Sequence, residues 1–212
     1  LILVFICMMV ILSSMLILPM YLQQGMALSA LTAGLVLLPG SLLNGFLSPV
    51  MGRLFDKFGP KWLVTIGLVI VAVVLFLYTN IHSTTPIAVI VTLHIFMMVG
   101  ISMIMMPAQT NGLNQLPSHF YPHGTAIMNT LQQVAGAIGT ALAVSILSAG
   151  QSRYLSSVAD PTSSTNKLAA FTTGIQNAFI FAMILAIVGL LCSFFIKRVI
   201  VKKQAGAQGS AH

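Results

Sequence analysis

The stretch GRLFDKFGPK, residues Gly52–Lys61, decides the fold. It is a charged island between two long apolar runs, Leu31–Met51 and Trp62–Thr79. It holds three of the nine Lys and Arg residues of the chain and one of its two carboxylates. A polar hinge of this kind between two such runs belongs at a membrane surface, and its positive charge marks which surface.

The rest of the composition agrees. Of 212 residues, 5% are charged and 58% hydrophobic, and the mean hydropathy is +1.01. A soluble domain of this length is about a quarter charged. No soluble interior hides this much apolar surface, so the class is a polytopic membrane protein. The apolar runs do not alternate, which excludes a membrane barrel and leaves helices of about 20 residues each. The formal net charge of +7 does not point to nucleic acid, because the basic residues sit at helix ends and in the tail. Cys7 and Cys192 fall inside apolar runs and read as buried free thiols.

Six apolar segments follow from the sequence. They are Leu1–Leu22, Leu31–Met51, Trp62–Thr79, Pro86–Met106, about Gly124–Ala149 and about Phe171–Ile196. If they alternate across a bilayer, Arg53, Lys57, Lys61, Lys197, Arg198, Lys202 and Lys203 share one side, and Arg153 and Lys167 fall on the other. The positive-inside rule then makes both ends of the segment cytoplasmic in a multi-pass cell-membrane protein. It makes Gly150–Ala170 an external loop. Residues 201–212, small and polar, read as a disordered cytoplasmic tail behind a bundle of residues 1–200. The chain opens on Leu1 inside an apolar run, without the basic region of a signal peptide, so we expect it to start within a longer protein.

Glycine and proline are frequent inside the spans. Ala135, Gly136, Gly139, Thr140 and Ala143 stand at small-xxx-small spacing, which predicts close helix packing or smooth sliding faces.

The island also fits the loop signature of the major facilitator superfamily, G-x-L-a-D-r-x-G-r-k. Gly52, Leu54, Asp56, Gly59 and Lys61 match it, Lys57 matches as a basic residue, and Phe55 and Pro60 depart from it. Residues Tyr21–Gly59 and Met106–Leu142 resemble the drug:proton antiporter-2 branch, the fourteen-helix multidrug-efflux transporters. The resemblance covers almost the whole chain and matches the C-terminal six-helix half. It implies an all-α fold: six transmembrane helices in one bundle of two inverted three-helix repeats, segments one to three and four to six. Pro19 and Pro107 hold similar places in the two repeats.

The resemblance further implies proton-coupled efflux of lipophilic or cationic drugs by alternating access. The partners would be the lipid bilayer, protons and an N-terminal transporter half, with no cofactor and no metal. This segment alone is expected to be inactive. It casts Gly52, Arg53, Asp56, Lys57, Gly59 and Lys61 as a conformational latch, against the plainer reading of a cytoplasmic turn with anchoring charges. Asp56 is expected just before the third helix, at the positive end of its dipole.

No Asp, Glu, Lys or Arg lies clearly inside a span. His94 is the titratable candidate there, read either as a neutral core histidine or as part of a proton path. Tyr21, Gln24, Asn44, Met98, Asn129, Gln132 and Gln133 are the other cavity candidates. Asn129 and Gln133 share a helix face at i, i+4 spacing. Interhelical hydrogen bonding is the plainer reading of each amide. Methionines gather in segments one and four and suit either core filling or an adaptable pocket.

An alternative is a structural or channel-like six-helix subunit acting as a homodimer. No HExxH, Ser–His–Asp or phosphate-loop pattern supports an enzyme. His119 and His123 lie around Tyr121 and Pro122 and read as loop residues, without acidic partners for a metal.

Overall fold

The computed structural model describes residues 2–82 and 84–195. The basic group Lys197, Arg198, Lys202 and Lys203 and the tail 201–212 lie outside the described residues.

The described chain is helical, without a strand. Helix α1 covers Ile2–Met20 and continues into a π-turn at Tyr21–Gly25. Helix α2 covers Ala30–Phe58, α3 Pro60–Tyr78 and α4 Ile87–Leu113. A 3₁₀ turn at Ser118–Phe120 leads into α5, Tyr121–Ser157, and α6 covers Ser164–Ser193. All six helices are long and apolar enough to cross a membrane.

Local chemistry sets the ends. The Ser29 side chain accepts the Thr32 N–H at 3.1 Å and caps α2. Gly59 ends α2 at φ 80°, a left-handed angle that costs glycine little, and its N–H reaches the Phe55 carbonyl at 2.8 Å. Pro60 then opens α3, where its fixed φ fits and no N–H is needed.

The expected island is therefore corrected. Residues Gly52–Phe58 are the last two turns of α2, and the connection to α3 is the single residue Gly59. Gly52 lies inside a helix and makes no turn. Asp56 lies in the last turn of α2, so the helix end nearest it in sequence is that C-terminus, which favours Lys57 beside it. The helix outruns the apolar run because backbone bonding continues into water once the span is complete.

The expected loop at Gly150–Ala170 shrinks for the same reason. α5 runs to Ser157 and α6 starts at Ser164. At 37 residues α5 is about 55 Å long, against about 30 Å of hydrocarbon, so its ends stand clear of the bilayer.

The six helices pack as α2–α4–α1–α5 in one row, with α3 and α6 behind. α1 packs on α5 and α6, and α4 packs on α2 and α3. Exchanging helices one to three for four to six turns the first set of contacts into the second, the arrangement of an inverted three-helix repeat. Pro19 stands six residues before Gly25, and Pro107 six before Leu113, so the two prolines occupy matching places. The repeat is not perfect: α5 and α6 pack along much of their length, whereas α2 and α3 barely touch.

Close approach is made at glycines. A Cβ on Gly67 of α3 would stand 2.7 Å from the Gly100 carbonyl of α4, and one on Gly100 would stand 3.0 Å from the Gly67 carbonyl. A Cβ on Gly139 would stand 2.7 Å from the Met9 Cα, so the small-residue run of α5 is a packing face against α1. The core between these crossings is aliphatic and aromatic. Tyr78 and Phe179, for example, stack at 4.9 Å between α3 and α6.

Candidate functional site

The bundle has two ends. The Gly59 end gathers the start of α1, the α2–α3 junction, the end of α4 and the start of α5. The other end gathers the π-turn and the connections 79–86 and 158–163.

At the Gly59 end, Arg53, Asp56, Lys57 and Lys61 are all exposed, and the Lys57 ammonium lies 5.3 Å from the Phe58 ring. The sequence reading brought these charges together, and the structure places them on two turns of one helix and the first turn of the next. Beside them lies a cavity of about 610 Å³ between α1, α3, α4, α5 and α6. Its wall is mostly apolar, from Val4, Val64, Ala108 and Met128, with Asn111 and Gln115 adding amides. Asn111 stood out in sequence as a polar group at the expected cytoplasmic end of the fourth segment, whereas Gln115 did not, because it lies past the end of α4.

At mid-span, three candidates meet where α2 crosses α4. The Asn44 amide donates to the Met98 carbonyl at 3.0 Å. Met98 is buried, 4% exposed. One turn away, a Cβ on Gly40 would fall 2.5 Å from His94 Cδ2. His94 is 4% exposed and neither ring nitrogen makes a hydrogen bond. The Leu37 carbonyl lies near the ring and also accepts the Ser41 hydroxyl at 3.1 Å. Gly40 with His94, Asn44 with Met98 and Gly52 with Met106 keep one offset, so α2 and α4 run side by side in the same direction.

On α5 the amides divide by face. Met128, Gln132, Ala135, Gly136, Gly139 and Ala143 form the buried stripe at helical spacing. Gln132 lies in that stripe, 8% exposed, with its amide nitrogen unpartnered. Asn129 and Gln133 share one exposed face beside this stripe, as the i, i+4 spacing indicated.

Tyr21 and Gln24 sit in the π-turn. Gln24 is exposed. Tyr21 is fully buried, and its hydroxyl donates to the His82 carbonyl at 2.6 Å. Gln176 of α6 donates to the neighbouring Ile81 carbonyl at 2.9 Å. Together they pin the α3–α4 connection to α1 and α6, so Tyr21 is a tie within the bundle. Gln176 escaped sequence reasoning because nothing local marks its distant partner. The methionines also divide: Met9, Met97 and Met98 are buried, whereas Met15 and Met106 are exposed.

Two flanking helices stay open. Most of α2 is exposed, and a Cβ on Gly34 or Gly45 would meet nothing within 4 Å. Among the described residues no group of three or more His, Cys, Asp or Glu could hold a metal. His119 lies in the 3₁₀ turn and His123 in the first turn of α5.

Fold and site together define one class: a helical membrane bundle of inverted repeats, of the kind that makes up half of a transporter. Residues 1–140 match the sequence pattern of the Major Facilitator Superfamily, and the chain belongs to that superfamily. It is 65% identical over 198 residues to the lincomycin resistance protein LmrB of Bacillus subtilis, covering 93% of this chain and 41% of that protein. It is 58% identical to the protein of the same name in Listeria monocytogenes, covering 93% of this chain and 42% of that one. A multidrug resistance protein B homolog of Mycobacterium tuberculosis is 30% identical over 131 residues, 61% of this chain and 24% of that protein. The chain thus spans about two fifths of the length of the lincomycin resistance proteins it matches.

Proposed function

We propose that this chain forms the C-terminal half of a secondary active transporter that exports lipophilic or cationic drugs, lincomycin among them, in exchange for protons. The observation that carries this is the open face of α2 and α5. α2 presents glycines with nothing against them, and α5 presents Asn129 and Gln133. A lipid-facing surface has little use for two exposed amides on one helix face. α3, by contrast, turns Trp62, Ile66, Val69, Val73 and Phe76 outward, as lipid contact asks. A second bundle set against α2 and α5 would enclose the amides in a wet cavity between the halves. Names borne by the relatives supply the substrate class.

The island end faces the cytoplasm of a cell-membrane protein, because Arg53, Lys57 and Lys61 gather there and Arg153 and Lys167 stand at the other end. Asp56 acts as a conformational latch when the second bundle is present. The protein works as a carrier.

Transport into inverted vesicles tests the reading. The full-length protein should accumulate lincomycin under an imposed proton gradient, and a protonophore should abolish the uptake. The chain of residues 1–212 alone should give none. Drug uptake by that chain alone would sink the half-transporter reading and favour a self-sufficient homodimer.

A further inference from the structure

The crossing of α2 and α4 has a feature that drug transport alone does not require. α2 is held to the bundle mainly through α4 and barely through α3. Within that contact, the imidazole of His94 occupies the space that Gly40 leaves by having no side chain. His94 is 4% exposed, neither ring nitrogen makes a well-aligned hydrogen bond, and the Leu37 carbonyl of α2 is the polar group beside the ring. Buried polar groups are normally satisfied, and an exception calls for a reason. A histidine in this state is one proton away from a cation with two N–H donors pointing into an apolar crossing.

Nothing nearby offers a counter-charge. Residues 33–48 of α2 contain no titratable side chain. α3 offers Lys61, exposed at the distant Gly59 end, and Tyr78, whose hydroxyl lies 3.5 Å from the Ile90 carbonyl one turn from His94. α1 offers Cys7, which is buried, and Tyr21, whose hydroxyl is already given to the His82 carbonyl. Tyr121 and His123 of α5 stand at the start of that helix, near the Gly59 end. A cation at His94 would find only the Leu37 carbonyl beside it, which also accepts the Ser41 hydroxyl, and its second N–H would have to be met by water, which requires α2 to move.

We propose that His94 is a proton-binding site whose protonation parts α2 from α4 and so moves the charged end of α2. The site takes a proton on either ring nitrogen and releases it on return, with no bond made elsewhere. The movable element is α2, because one helix surface anchors it. Its last two turns carry Arg53, Asp56 and Lys57, so a displacement at Gly40 reaches the island through a continuous helix. Asn44 sets the limit: its bond to the Met98 carbonyl one turn on has to stretch or break in the same movement. This inference deepens the proton-exchange reading above and rests on it for its physiological meaning, though its geometry stands alone.

The test uses the full-length protein in nanodiscs. Nitrogen NMR of labelled histidine should show His94 taking up a proton as the pH is lowered. Spin labels at Phe46 of α2 and Phe96 of α4, both exposed, should report a distance that shifts over the same pH interval. In His94→Gln, which keeps a polar side chain and cannot take the proton, the shift should be lost. If that variant fails to fold, the wild-type nitrogen titration still decides the matter. A His94 that keeps one protonation state throughout, or a distance shift that survives in His94→Gln, would overturn the proposal. Proton-driven efflux is measured separately. Efflux that needs a proton gradient while His94 never titrates leaves the transporter reading standing and removes this one. A His94-dependent shift without proton-driven efflux does the reverse.

Discussion

Single polar groups in this protein divide into those that tie helices together and those left open. Asn44 is of the first kind, with its amide on the Met98 carbonyl. Hydrogen bonds between membrane helices average about 0.6 kcal/mol and reach about 1.7. Asn44→Ala should therefore lower the thermal stability of the purified bundle by about that much, read as a melting shift in detergent. Asn129→Ala should leave the melt unchanged, because the side chain is exposed. Asp160 makes a further residue-scale case, outside the spans. Its carboxylate accepts the Thr162 hydroxyl at 2.6 Å and the Thr162 N–H at 3.0 Å. These bonds, the hydroxyl first, hold its acid below the ordinary value of 3.8. A depressed carboxylate contributes above the unfolded value and loses its effect as pH falls through the folded one. The 158–163 connection should therefore keep its protection from hydrogen exchange down to about pH 4 and lose it below, whereas Asp160→Ala should lack it at every pH. The chemical type of these groups was legible in the sequence. Their partners were not, because Asn44 and Met98 are 54 residues apart and no local pattern links them.

Helices show a similar division among their glycines. Gly67→Ala would drive a methyl into the Gly100 carbonyl, and overpacking of this kind costs about 1–3 kcal/mol. Gly45→Ala meets nothing within 4 Å and should leave the stability of this chain unchanged or slightly higher, since alanine is the better helix former. Paired melts of the two variants check this directly. The same element-scale view explains the island. Its charges and its glycine end were visible in sequence, and so was the start of α3 near Pro60. Its helical state was not, because residues Gly52–Phe58 carry loop-like polarity while their backbone simply continues α2. The lengths of α5 and α6 escaped for the same reason. Hydropathy reports where the hydrocarbon ends, and backbone hydrogen bonding decides where the helix ends.

At the scale of the whole molecule, the open faces of α2 and α5 make a prediction that separates this chain from the longer protein. Gly45→Leu should not disturb the melt of the six-helix bundle. In the full-length protein it should reduce drug efflux, because the second bundle is expected against that face. Equal efflux in the variant and the wild type would argue against that contact. Asp56→Asn in the full-length protein should likewise slow transport and shift the balance of conformations, read by efflux rate and by spin-label distances across the Gly59 end. The sequence alone determined the membrane class, the number of helices, their order and the superfamily, since these follow from the lengths of apolar runs and a motif of fixed spacing. The tertiary structure decided which glycines are crossings, which amides are ties, and that His94 is enclosed against Gly40. The physical reason is that lipid tails and buried side chains are equally apolar. A membrane helix therefore carries no hydropathy signal that tells its inner face from its outer one, and only packing against the other helices can assign it.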